Sequence, residues 1–179
     1  MTILTYKQFL HEVDKIQISS FCTIDNFRMG KLEQYLATEN QGIYWFWTNL
    51  SNKSLKKIDT DWDTMEVPIA YLTYKRECLN GLCNYHHNDF RVVYCGISSH
   101  LRERILQEVG SSSKKKVTLN IESRSDLKNW RISYFNFSDS RHQELLNFLG
   151  EASFPYYNYG DEIAKDWRLE FGWPLLNKM

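Results

Sequence analysis

The spacing of apolar positions changes more than once along the chain. Within residues 6–16, Phe9, Leu10, Val13 and Ile16 fall three or four apart, and Leu32, Tyr35 and Leu36 repeat that spacing, so residues 1–40 read as a helical preface. From Gly42 the period shortens. Residues 43–48 form a short aromatic strand, followed by a polar stretch with Asn49, Asn52, Lys53, Lys56 and Lys57. Residues 69–74 and 91–94 read as two further strands, separated by a loop rich in Asn, Gly, His and Cys over 76–89. After Gly96 the pattern turns helical, with Leu101, Ile105 and Val109 four apart, Ser98 or Ser99 as N-cap and Gly110 as the stop. Residues 132–137 read as a strand with one wet face. Ser140 caps a helix carrying Leu145, Phe148 and Leu149 that ends at Gly150, and residues 161–171 form a final helix stopped by Gly172 and Pro174.

Composition narrows the class. With 179 residues, 42% of them apolar, and with 6 Trp, 11 Tyr and 10 Phe, the chain can bury a core as one domain, and disorder or coiled coil is excluded. Lys and Arg total 22 and so do Asp and Glu, so no global field draws the molecule to nucleic acid, and any polyanion site must be local. Residues 1–13 lack the basic start and apolar run of a signal peptide. The longest apolar stretch, near residues 42–47, falls far short of the about 20 residues that span a bilayer, so the expectation is a cytoplasmic protein without membrane contact. Cys22, Cys78, Cys83 and Cys95 are too sparse for a disulfide scaffold and read as free thiols.

Three pieces carry the chemistry. Gly42, Ile43 and Tyr44 open one strand; Tyr94, Cys95 and Gly96 follow another; and Arg104 lies ten residues after Tyr94 on the next helix. The phenol of Tyr94 and the guanidinium of Arg104 can face one side of a strand–helix corner that Gly96 permits. A phosphodiester suits that corner. Arginine presents a permanently charged planar fork to phosphate oxygens, and tyrosines can orient or deprotonate water beside a cation. In order and spacing these pieces, with Leu101 three residues before Arg104 and Ile105 just after it, resemble the GIY-YIG nuclease family over residues 42–158.

The resemblance implies an α/β (α+β) domain: a small mixed central β-sheet flanked by helices, spanning 1–179, with an N-terminal extension over 1–40, an insertion over 48–90 and a C-terminal helix within 159–179. It implies metal-dependent hydrolysis of DNA, with Tyr44 or Tyr94 activating water and Arg104 stabilising the phosphoryl oxygens. It also implies a glutamate on a late helix holding Mg²⁺ or Mn²⁺ and an asparagine beyond a nearby proline. Glu144, followed by Pro155 and Asn158, matches that order, Asn158 positioning the phosphate or the glutamate. A rival register places the pair at Glu162 and Asn177, the latter following Pro174. Magnesium sheds its hydration shell reluctantly, so one carboxylate with waters and phosphate oxygens is a reasonable holder. Two features depart from the family. Tyr44 and Tyr94 are 50 residues apart, where a short hairpin is usual, and Glu108 stands one turn after Arg104 where His or Tyr is common. Either His100 or Tyr44 then handles the proton, or the site is weakened; a noncatalytic nucleic-acid-binding relative is the alternative.

Cys78, Cys83, His86 and His87 have the residue types of a Zn²⁺ site, which gives a third reading, a zinc-stabilised protein-interaction module. For a DNA partner the charges to hand are Arg102 and the run Lys114, Lys115 and Lys116. So few contacts imply a slope of log affinity against log salt of about −3 to −5, at ~0.9 per phosphate contact. Replacing Lys114, Lys115 and Lys116 together by Gln should lower that slope by about 2 to 3 in a salt titration of duplex binding in Ca²⁺. An unchanged slope would mean that the run is only a solvated loop.

Overall fold

The computed structural model describes residues 5–29, 40–58, 67–110, 117–150 and 156–177, with the backbone alone at 148–150 and 156–159. Lys114, Lys115, Lys116, Leu32, Tyr35, Leu36 and Pro155 lie outside the described residues, and so does the side chain of Asn158. The N-terminal segment forms α1 (Tyr6–Ser19), a two-residue strand β1 (Cys22–Thr23) and α2 (Ile24–Arg28). Thr5 caps α1 through a reciprocal pair with Gln8, and Thr23 caps α2 through the Asn26 amide. The short β1, which the helical spacing of the preface conceals, adds to the sheet edge beside Ile132 and Arg131.

Five strands make one sheet: β1, β2 (Gly42–Thr48), β3 (His86–His87), β4 (Phe90–Ser98) and β5 (Trp130–Asn136), in the spatial order β1-β5-β2-β4-β3. Every pairing in it is antiparallel, which corrects the expected mixed sheet. The reason is positional. β4 and β5 run the same way, but β2 lies between them and pairs with both. Residues 69–74, expected as a strand, lie instead in the helix α4 (Ile69–Arg76), which follows the short α3 (Asn52–Leu55). Their β-prone composition is overridden because Ile69, Leu72 and Thr73 bury one helical face, and the Thr73 hydroxyl donates to the Ile69 carbonyl one turn back at 2.8 Å. The remaining helices are α5 (Leu101–Val109), α6 (Ile121–Arg124), α7 (Gln143–Gly150) and α8 (Tyr156–Phe171). Gly110 ends α5 at φ +112° in the left-handed region, and Asp139 rather than Ser140 caps the turn leading into α7.

The sheet is buried on both faces. Tyr44, Phe46, Val93, Ile132 and Trp130 pack with α2, α4, α5 and α6 on one side, and Ile43, Trp45, Trp47, Val92 and Phe135 pack with α1, α7 and α8 on the other. Trp45, Trp47 and Trp130 are fully enclosed, each worth at most about 4–6 kcal/mol of area burial. A bulge opposite Phe46 and Trp47 leaves Val93 as an extra residue in β4. It resets the alternation so that Val93 and Tyr94 both join the Tyr44 face while Cys95 turns to the other.

Gly96 sits opposite Tyr44 in the ladder, and a Cβ there would lie 2.3 Å from the Tyr44 phenol oxygen. Its smallness makes room for that ring; β4 itself continues to Ser98 before α5 begins. Gly96→Ala should therefore destabilise the fold by about 1–3 kcal/mol in urea unfolding. The loss should shrink in a Tyr44→Ala background, where the struck ring is gone; additive losses would show that the collision is elsewhere.

Candidate active site

Tyr44 from β2, Tyr94 from β4 and Arg104 from α5 line one cleft of about 670 Å³. The first two are diagonal neighbours on the paired strands β2 and β4, with ring centroids 6.1 Å apart. On α5, Leu101, Ile105 and Val109 bury the apolar stripe, which turns Arg104 and Glu108 toward the same corner one helical turn apart. Arg104 Nε donates to the Tyr44 phenol oxygen at 3.2 Å, and its Nη2 donates to Glu108 Oε1 at 2.6 Å and to the Val117 carbonyl at 2.9 Å. The Tyr44 hydroxyl donates to Glu108 Oε1 at 3.0 Å, and the Leu119 amide donates to Glu108 Oε2 at 2.8 Å. Glu108 is fully buried, Tyr44 is 1% exposed, and the Arg104 side chain keeps 18% of its surface.

Burial sets the protonation of this group. It pushes the Tyr94 phenol up to about 12, with Glu108 adding to the rise and Arg104 opposing it. It pushes Tyr44 well above the ordinary phenol range, Glu108 and Tyr94 reinforcing and Arg104 opposing. Burial also raises Glu108, against the pull of Arg104, the Leu119 amide and the Tyr44 hydroxyl. For Arg104, burial disfavours the charge, but the Tyr44 and Glu108 oxygens outweigh it and hold the guanidinium above its usual range. At neutral pH both phenols therefore keep their protons. Glu108 is positioned to receive one from Tyr44.

The other residues singled out by sequence are distributed differently. Glu144 is exposed on α7 and does not line the cleft; Glu162 is exposed on α8 and lies within electrostatic reach of Tyr6 on α1. Asn177, from the rival register, does reach the site. It is 6% exposed and clamps Cys95: the Cys95 amide donates to Asn177 Oδ1 at 2.7 Å, and Asn177 Nδ2 donates back to the Cys95 carbonyl at 2.5 Å. Arg102 is half-buried on α5 and His100 is exposed at its start, and neither lines the cleft. Cys78 is exposed, Cys83 buried, and His87 packs edge-on to Phe21 and Trp47; all four cysteines are free thiols. Among the described residues no group of three or more His, Cys, Asp or Glu side chains is placed to hold a metal ion, and no helix is long and apolar enough to cross a membrane.

Three functional candidates escaped sequence reading. Glu108, read as a departure, is the buried centre of the group, a role that its i+4 spacing from Arg104 could have signalled. Asp161 and Arg168 line the cleft from α8, seven residues apart and so on one helical face. Nothing in local sequence says which face of α8 meets β4; the close packing of Gly160 on Ile97 decides it. No protein-family model, curated protein or solved structure matches the chain.

Glu108→Ala leaves Arg104 without its counter-charge and the Leu119 amide without an acceptor, and should cost about 3–5 kcal/mol in urea unfolding. Glu108→Leu combined with Arg104→Met, which removes both charges, should recover a large part of that loss. A double variant as unstable as Glu108→Ala would show that the pair does not act as a unit.

Proposed function

We propose that this protein is a metal-dependent endonuclease that hydrolyses DNA phosphodiester bonds in the manner of the GIY-YIG nucleases. One observation carries the reading: Tyr44, Tyr94 and Arg104 come from three elements and up to 60 residues apart, yet join one hydrogen-bonded group on the wall of one cleft. Such a group suits phosphoryl chemistry. Arg104 stands where negative charge would develop on the phosphoryl oxygens, and it is fixed there before any substrate arrives. The proton of the attacking water passes to the Tyr44 oxygen as Tyr44 hands its own proton to Glu108 Oε1 along the 3.0 Å hydrogen bond. Glu108 thus takes the part that the resemblance gives to a His or Tyr. Tyr94 orients the water beside Tyr44.

Asp161 is the one carboxylate among the described cleft-lining residues, and with waters and phosphate oxygens it forms a donor set that suits Mg²⁺ or Mn²⁺. When bound, the ion would supply stabilisation of the charge on the departing oxygen. Asp161 replaces Glu144 in this reading because Glu144 is not at the cleft. Asn177, which holds the second tyrosine's strand, takes the place in this reading of Asn158, the asparagine expected to position the phosphate or the glutamate. A noncatalytic DNA-binding reading has one observation in its favour: the Arg104 guanidinium is already engaged by Glu108, Tyr44 and the Val117 carbonyl.

The test is cleavage of supercoiled plasmid with Mg²⁺ or Mn²⁺. Arg104→Ala should lose about 10² to 10³ in rate. Glu108→Gln should lose about 10² to 10⁴, and with it the rise of rate as pH climbs through the raised carboxyl pKa, since only the ionised form accepts the proton. Asp161→Asn should lose metal-dependent activity, while Glu144→Gln and Glu162→Gln keep it. Equal nicking by wild type and Arg104→Ala would overturn the reading; duplex binding with no nicking would favour the noncatalytic one.

A further inference from the structure

Arg104 is not the only arginine at the cleft, and its own guanidinium is occupied by internal partners. Arg168 lines the same cleft from α8, on the face that carries Asp161 two turns earlier. It pairs with no carboxylate among the described residues. Its Nη2 donates to the Cys95 carbonyl at 3.2 Å, but that oxygen already accepts from Asn177 Nδ2. Its guanidinium carbon lies 5.3 Å from the centre of the Trp173 ring, which holds the plane and thins its hydration without supplying an acceptor. Arg168 Nε is enclosed with no hydrogen-bond partner, the neutral Cys95 thiol is the one other group among the described residues within reach of its guanidinium, and the Trp173 indole N–H is enclosed and unpartnered as well. Native folds rarely leave buried donors unsatisfied. A positive charge without a counter-ion, facing a cleft, is what an anion would complete.

We infer that Arg168, backed by Trp173, forms a second anion subsite, occupied by a backbone phosphate of the nucleic-acid strand other than the one bound at Arg104. This rests on the proposed nuclease reading and deepens it: the substrate is gripped at more than one phosphate, and a strand rather than a lone nucleotide is the ligand. Because Arg104 is held internally, Arg168 supplies the cleft's uncompensated charge. It is a binding residue; the reacting phosphate belongs to Arg104.

The experiment is fluorescence anisotropy of a labelled duplex in Ca²⁺, across a series of salt concentrations, with wild type, Arg168→Met and Arg168→Lys. Arg168→Met keeps the stem against Trp173 and removes the charge. It should weaken binding roughly tenfold and lower the slope of log affinity against log salt by about 1, while Arg168→Lys keeps the slope. A merely structural role would alter the unfolding midpoint but not the slope. If Arg168→Met does not fold, Arg168→Gln, which keeps a donor for the Cys95 carbonyl, gives the same readout. Inorganic phosphate titrated at constant ionic strength separates the two sources of anion. Weak competition is expected, whereas phosphate binding as tightly as duplex would overturn the assignment to a strand. Because no cleavage occurs in this assay, an unchanged slope sinks the subsite even if plasmid is cut, and a lowered slope upholds it even if plasmid stays intact.

Discussion

A carboxylate with no exposed surface sets the terms for this fold. Taking Glu108 out of water is costly, and the cost is offset only by donors aimed at it: Arg104 from the same helix, Tyr44 from β2 and the Leu119 amide from just before α6. Arg104 in turn reaches the Val117 carbonyl, and the Val67 amide donates to the Thr118 carbonyl at 2.7 Å, so the connection before α6 is fastened to the segment before α4. Compensating one charge therefore fixes the relative positions of β2, α5 and the loop over the cleft. Moving any of these would strand a buried charge or a buried amide.

The same arrangement links stability to the geometry of the cleft. The bonds that make Glu108 tolerable also hold Tyr44 and Arg104 in place before any ligand arrives. Preorganisation of this kind avoids reorganisation at the moment of reaction, but it leaves Arg104 little freedom to seek a distant phosphate. In the proposed reading, positive charge for capture comes from Arg168 on α8.

Much of the sheet was legible in the sequence, because β2, β4 and β5 are written in aromatic and β-branched runs that a short period makes plain. The group around Arg104 was legible too, through the spacing of Tyr94, Gly96 and Arg104. What could not be read there depends on tertiary partners. Ile69, Leu72 and Thr73 suit a strand or a helix face equally, and the core beneath them decides. β1 is two residues long, too short for any period. The residues that line the cleft from α8 were hidden for a related reason. Glu144 and Glu162 have the residue type that the resemblance asks for, but the face that α8 turns to β4 depends on Gly160 fitting against Ile97, and that brings Asp161 to the cleft instead. Asn177 was legible only as one of two registers; its clamp on Cys95 needed the tertiary structure to be seen.

The clamp at the upper half of β4 has a consequence for how the molecule comes into being. β3 and Tyr85 just before it cover β4 only as far as Val92, so beyond it the outer edge of β4 is taken by residues near the end of the described chain: the Leu176 amide donates to the Val93 carbonyl, and Asn177 closes on Cys95. Synthesis proceeds at about 5–20 residues per second, so for several seconds a nascent chain holds Tyr44, Tyr94 and Arg104 without α8 or its edge. During that interval β4 offers open backbone to any passing strand, and the cleft has one wall missing. The group around Arg104 is thus synthesised early and enclosed late, when α8 and the residues around Asn177 arrive to cover the edge of β4 and wall the cleft.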